Sequence, residues 1–150
     1  MSLNGYENYL ENQIVTADKG KLILIIYEAA INSIKHAINL IQNPPINFEK
    51  TGKNIQKAED CIFELMCSLN MEAGEISRNL YELYNFMVRN LIKADLNKDV
   101  EILKNILLML ISLNEAWEDV ILNQKHKENI PMMQAENHIS SDIETFSIKI

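Results

Sequence analysis

The sequence predicts an all-α protein, an antiparallel up-down four-helix bundle. Only 4 Gly and 3 Pro occur among 150 residues, too few for a turn-rich β-sandwich or barrel. Four long segments carry apolar residues at spacings of three and four, the period of an amphipathic helix. The joints between them are short, which favours antiparallel neighbours. A chain of this length suits one domain, and we assign residues 1–125 to the bundle and 126–150 to a tail.

The first helical segment is unusually apolar. We expect it to begin at Asp18, a good N-cap residue, and to end near Gln42, before Asn43-Pro44-Pro45. Nine of the ten residues 22–31 are apolar or aromatic, with Glu28 as the exception, whereas a core-facing helix needs about three such positions per heptad. Either this helix packs against several neighbours, or part of its surface forms a groove for a partner helix.

Three further helices follow with cleaner apolar stripes. The second is predicted from about Asn47 to Asn70, and Gly52 weakens its first turns. The third begins between Met71 and Glu75 and ends near Leu96, and the fourth spans about residues 97–124. The residues predicted to face the core are Ile55, Ala58, Ile62, Leu65 and Leu69, then Ile76, Leu80, Leu83, Met87, Leu91 and Ala94, then Leu103, Ile106, Leu110, Leu113, Trp117 and Val120.

The two ends have weaker patterns. Residues 1–17 form a short apolar stretch that is too weak to make a stable helix alone. In the tail, Ile139, Ile143, Phe146 and Ile150 have helical spacing, although Phe146, Ile148 and Ile150 also alternate like a strand. We expect the tail to be flexible or weakly helical, and a helix formed there would compete for the groove.

Composition excludes several functions. The net charge is −7 and no basic cluster occurs, which argues against nucleic-acid binding. The longest apolar run, residues 106–111, is far shorter than a transmembrane helix, and no signal peptide is visible. We therefore expect a soluble cytoplasmic protein without membrane insertion.

No constellation of catalytic or metal-binding residues is visible. A di-iron bundle needs Glu-x-x-His motifs, which are lacking, and His36, His126 and His138 are scattered. Cys61 and Cys67 lie about 240° apart around one helix, so they cannot form a disulfide within it. No Cys-x-x-Cys, phosphate-binding loop or nucleophile elbow occurs. We predict a protein that is not an enzyme and binds no cofactor or metal.

A family resemblance runs along most of the chain. Its first part is YLENQIVTA at 9–17, followed by GKLILIIYE at 20–28; its middle part is KAEDCI at 57–62 with Ser68-Leu69-Asn70. The third part begins at Gly74-Glu75-Ile76-Ser77, includes LYNFM at 83–87, and continues to Ala116-Trp117. Together these resemble the flagellin-specific export chaperones of the FliS family. Asp18-Lys19 stands where that family usually has Ser-Pro or Thr-Pro, and Ala73-Gly74 replaces a doubled Gly.

The resemblance implies a cytoplasmic chaperone, monomeric or weakly dimeric. It would bind the disordered C-terminal segment of flagellin, prevent premature polymerisation and deliver the subunit to the flagellar type III export apparatus. Export-gate components or a co-chaperone are further possible partners. The alternative is a self-associating structural bundle whose excess apolar face is a homo-oligomer interface.

We assign the flagellin-binding groove to the first helix and its neighbours, with an N-terminal cover that moves aside when the client arrives. The predicted groove comprises Leu22, Ile25, Ile26, Ala29, Ala58, Ile62, Leu65, Leu80 and Tyr84, with Tyr6, Tyr9 and Ile14 as the cover.

Overall fold

The structure is a computed structural model that describes residues 18–127, with side chains from 19 to 121. This part of the chain contains four α-helices. They are α1 (Asp18–Gln42), α2 (Phe48–Cys67), α3 (Glu75–Asn97) and α4 (Val100–Lys127), with a 3-10 turn at Met71–Ala73. No strand occurs within 18–127, and the all-α prediction is confirmed. Residues 1–17, and the predicted tail beyond Lys127, lie outside the described residues.

The helix ends follow local capping chemistry. The Asn47 side chain accepts a hydrogen bond of 3.0 Å from the Lys50 N–H and caps α2. Asp99 Oδ1 accepts from the N–H groups of Glu101 and Ile102 at 3.0 and 3.3 Å, and so caps α4. The second helix ends at Cys67, earlier than predicted, because the Asn70 side chain caps the separate 3-10 turn instead.

The helices form a closed antiparallel ring. α1 packs against α2 and α4, and α3 packs against the same two helices, so α1 and α3 are diagonal. Gly20 near the start of α1 lies beside Ile121 near the end of α4. Gly52 near the start of α2 likewise lies beside Asp95 near the end of α3. The predicted up-down arrangement is therefore confirmed for these helices.

The core fills the centre of this ring. Residues that the apolar stripes predicted to be buried are almost all there, and each helix contributes several side chains with essentially no exposure. The largest of these fully buried side chains are Tyr27, Ile34, Ile55, Ile62, Leu65, Tyr84, Met87, Leu91, Leu103, Ile106 and Leu110.

Candidate functional site

The apolar run of α1 lies mostly inside the bundle. Leu22 and Ile26 are buried, Ala29 is partly buried, and Ile25 is 51% exposed. Because α1 packs against both α2 and α4, a wide apolar surface is needed for the core alone. Ile25 is thus the residue of the predicted α1 groove whose side chain a partner can reach without opening the bundle.

The predicted groove residues of α2 and α3 lie in the core. Ala58, Ile62, Leu65, Leu80 and Tyr84 are each at most 3% exposed, within one cluster of contacting side chains. The structure therefore brings them together with Ile26, but beneath the surface. Tyr6, Tyr9 and Ile14 lie outside the described residues.

Large apolar side chains are exposed at positions that the groove prediction did not include. The spacing of apolar residues along the sequence does not reveal their exposure, since exposure depends on where the neighbouring helices lie. These residues are Phe48, Phe63, Met71, Tyr81, Phe86, Ile92, Leu96 and Leu108.

A buried polar cluster crosses the centre of the bundle. The hydroxyl groups of Tyr27 on α1 and Tyr84 on α3 are hydrogen-bonded to each other. Trp117 Nε1 on α4 donates to the Tyr27 hydroxyl at 3.2 Å. Three of the four helices are thus linked by side chains whose polar atoms are satisfied in an apolar core.

This environment disfavours ionisation of both tyrosines. Burial raises the pKa of Tyr84 to about 12, against the lowering effect of its hydrogen bonds with Tyr27 and Trp117. Burial, and then the neighbouring Tyr84, raise the pKa of Tyr27 well above 10. Both hydroxyls are therefore neutral structural groups at physiological pH and supply no general base.

Charged groups meet between the start of α2 and the end of α3. Lys98 Nζ lies 2.5 Å from Asp95 Oδ1 and 5.7 Å from the centre of the Phe48 ring. Burial, followed by the charges of Asp95 and Asp60, raises the pKa of Glu59. The arrangement joins the helix ends and resembles no catalytic dyad.

The reactive side chain types lie apart from one another. Cys61 and Cys67 are free thiols on α2, and burial raises the pKa of Cys61, which keeps it protonated and weakly nucleophilic. His36 is exposed. Among residues 19–121, whose side chains the structure describes, no group of histidine, cysteine and carboxylate side chains is placed to hold a metal ion. None of these helices is long and apolar enough to cross a membrane.

Comparison with known proteins decides the family. The family model described as flagellar protein FliS matches residues 2–125. The chain belongs to the FliS family. It is 29% identical over 122 residues to the flagellar secretion chaperone FliS of Bacillus subtilis (strain 168), covering 81% of this chain and 90% of that protein. It is 28% identical to the flagellar secretion chaperone FliS of Vibrio cholerae, covering 79% and 88% of the two chains.

FliS-family membership agrees with the chemistry of the described residues. It supports a chaperone role in flagellar export, and the family is one of chaperones rather than enzymes. A chaperone implies a client protein as partner.

Proposed function

We propose that this protein is a cytoplasmic export chaperone for flagellin. It binds the disordered C-terminal segment of flagellin, prevents premature polymerisation and delivers the subunit to the flagellar type III export apparatus. The proposal depends on one observation: several large apolar side chains remain exposed although the bundle already has a buried core. The chain that carries them belongs to the FliS family.

The proposed client site extends outward from the predicted groove. Ile25 contributes from α1, and Phe63 and Tyr81, the exposed sequence neighbours of the buried Ile62 and Leu80, contribute from α2 and α3. In our proposal the buried groove residues support this surface, and Tyr6, Tyr9 and Ile14 cover its α1 part around Ile25 until flagellin arrives. An amphipathic segment that orders on such a surface buries a large area but loses affinity to ordering entropy. Because the complex is non-covalent, release of flagellin at the export gate requires no covalent bond to be broken.

Titration tests the proposal. The purified full chain is titrated with a peptide covering the C-terminal segment of flagellin from the same organism, followed by calorimetry and circular dichroism. We expect 1:1 binding with a gain of helix, and no binding of the same peptide in scrambled order. Absence of binding at micromolar concentrations would overturn flagellin as the client.

The alternative is self-association through the same exposed side chains. Sedimentation of the chain with and without the flagellin peptide separates the two functions. A chaperone is expected to be a monomer, or a weak dimer that the peptide dissociates. A stable oligomer that is indifferent to the peptide would favour the structural role.

A further inference from the structure

One side of α3 combines exposed apolar residues with the arginines of the chain. Tyr81, Ile92 and Leu96 are 44%, 49% and 80% exposed, and Arg78 and Arg89, the two arginines in the sequence, are exposed as well. At 100° per residue these five positions fall within an arc of about 80°. Exposed Glu82 lies about 20° outside this arc, so the strip itself carries positive charge and suits an amphipathic helix with acidic flanks.

The strip lies on the side of α3 that adjoins α2. A methyl group on Gly52 of α2 would lie 3.8 Å from Asp95 Oδ1 on α3, so these positions face each other. Phe63 follows Gly52 by eleven residues, which returns it to the same side of α2 within about 20°. Because the helices are antiparallel, Phe63 and Tyr81 lie within about one helical turn of each other in height. We call the α3 strip together with Phe63 the seam patch.

The C-terminal part of the chain has the complementary pattern. Residues 128–150 contain four acidic residues and one lysine. Ile139, Ile143, Phe146 and Ile150 recur at helical spacing. On a helix, Glu136 and Asp142 would flank this stripe on its two sides, each by about 60°. The pattern therefore offers an apolar face bordered by negative charge.

The distance to the seam patch is within reach. α4 is antiparallel to α3, so Lys127 lies at the end of the bundle where α3 begins. Residues 128–135 can span up to about 30 Å when extended. Packed helices are about 8–10 Å apart, so this length suffices to pass around α3.

We propose that residues 136–150 dock as an amphipathic helix on the seam patch of the same chain. Ile139, Ile143 and Phe146 pack against the apolar residues of the patch, and the flanking acidic residues face its arginines. The docked segment shields apolar surface that is otherwise open to solvent, which lowers the risk of unspecific association.

Paramagnetic broadening tests the docking in the full chain. A nitroxide is attached at Ser141→Cys, on the side of the segment opposite its apolar stripe, with Cys61→Ala and Cys67→Ser as background. We expect loss of amide signal intensity along residues 78–92 of α3 and none on the outer face of α1. Unchanged intensities along α3, or loss confined to another face, would overturn the proposal.

Two variants in the segment provide a matched pair. Phe146→Asp places a charge in the apolar stripe and should restore the α3 signals. Ile148→Asp places the same charge about 180° away and should leave the broadening unchanged. Equal behaviour of the two variants would contradict a helix docked through this stripe.

Arg89→Glu tests the patch from the bundle side. Reversal of this exposed charge should reduce the broadening, and Asp142→Lys in the same chain should recover it in part. A mixture of two samples shows whether the docked segment comes from the same chain or from a second copy. One sample carries the nitroxide without isotope label, and the other carries the isotope label without nitroxide. Broadening in that mixture would mean that a second copy supplies the segment, and would overturn docking within one chain.

Discussion

Tyr27 and Tyr84 join their hydroxyl groups across the diagonal of the bundle. Their helices, α1 and α3, have their close backbone contacts with α2 and α4 rather than with each other. The ring centroids are 6.5 Å apart and tilted by 54°. This polar contact therefore constrains how α1 and α3 face each other in a largely apolar core, where shape alone would tolerate more than one arrangement.

Tyr84→Phe should destabilise the fold modestly. The change removes one buried hydroxyl that is bonded to Tyr27 while it keeps the ring, so we expect the free energy of unfolding to fall by about 1 kcal/mol. Tyr81→Phe on the same helix is the matched control, because Tyr81 is exposed, and should stay within about 0.5 kcal/mol of wild type. Urea unfolding measures both, and equal losses would contradict a structural role for the buried pair.

Stability should fall at alkaline pH through the same pair. In the unfolded chain both hydroxyls titrate near their ordinary pKa of about 10, whereas in the fold Tyr84 titrates at about 12 and Tyr27 well above 10. Above pH 10 the unfolded chain therefore binds fewer protons than the folded one, and the stabilisation present below pH 10 is lost as pH rises through 12. Urea midpoints across this range should decline less steeply in Tyr84→Phe, and parallel curves would refute the assignment.

Two glycine substitutions should act in opposite directions. Gly52 lies in the first turns of α2 with ordinary contact space around an added methyl group, so Gly52→Ala should stabilise the protein by about 0.5–1 kcal/mol. Gly74 has open space but a φ of +83°, a conformation that alanine disfavours. Gly74→Ala should therefore destabilise the protein by about 1 kcal/mol, as measured by thermal unfolding. A stabilising Gly74→Ala would be incompatible with this backbone.

Substitutions at Ile25 and Ile26 should distinguish an effect on flagellin binding from an effect on folding. Ile26 is 7% exposed, so Ile26→Asp buries a charge and should cost more than about 3 kcal/mol of stability. Ile25→Asp should cost at most about 1 kcal/mol yet weaken binding of the flagellin peptide by about tenfold, equivalent to 1.4 kcal/mol. Leu108→Asp, at an exposed position on α4, is the control for a surface charge and should leave affinity unchanged. Unaltered affinity of Ile25→Asp would remove this residue from the client site.

The two proposals together predict a regulatory effect. If flagellin and residues 136–150 use the seam patch in turn, Phe146→Asp should tighten binding of the flagellin peptide severalfold, while Ile148→Asp should not. Calorimetry measures both affinities. Equal affinities alongside the expected paramagnetic broadening would mean that the segment docks away from the client site, and would leave flagellin binding itself unaffected.

The sequence by itself determined the helices and the family. Apolar spacing, the proline pair at Pro44-Pro45 and few glycines set helix positions to within a few residues, since these are local properties of the chain. The predicted core stripes of α2, α3 and α4 are mostly buried for the same reason. The FliS resemblance was readable because its pieces keep their order along the chain.

The tertiary structure decided which apolar residues remain outside. On α1 the run 22–31 offers nine apolar or aromatic positions out of ten, and the packing of α2 and α4 on both sides leaves Ile25 exposed while Ile26 is buried. On α3, Tyr84 is buried against Tyr27 in the core, whereas Tyr81 and Ile92 remain exposed. Helical periodicity predicts which residues share a face of a helix, but only the positions of the neighbouring helices determine which face is buried.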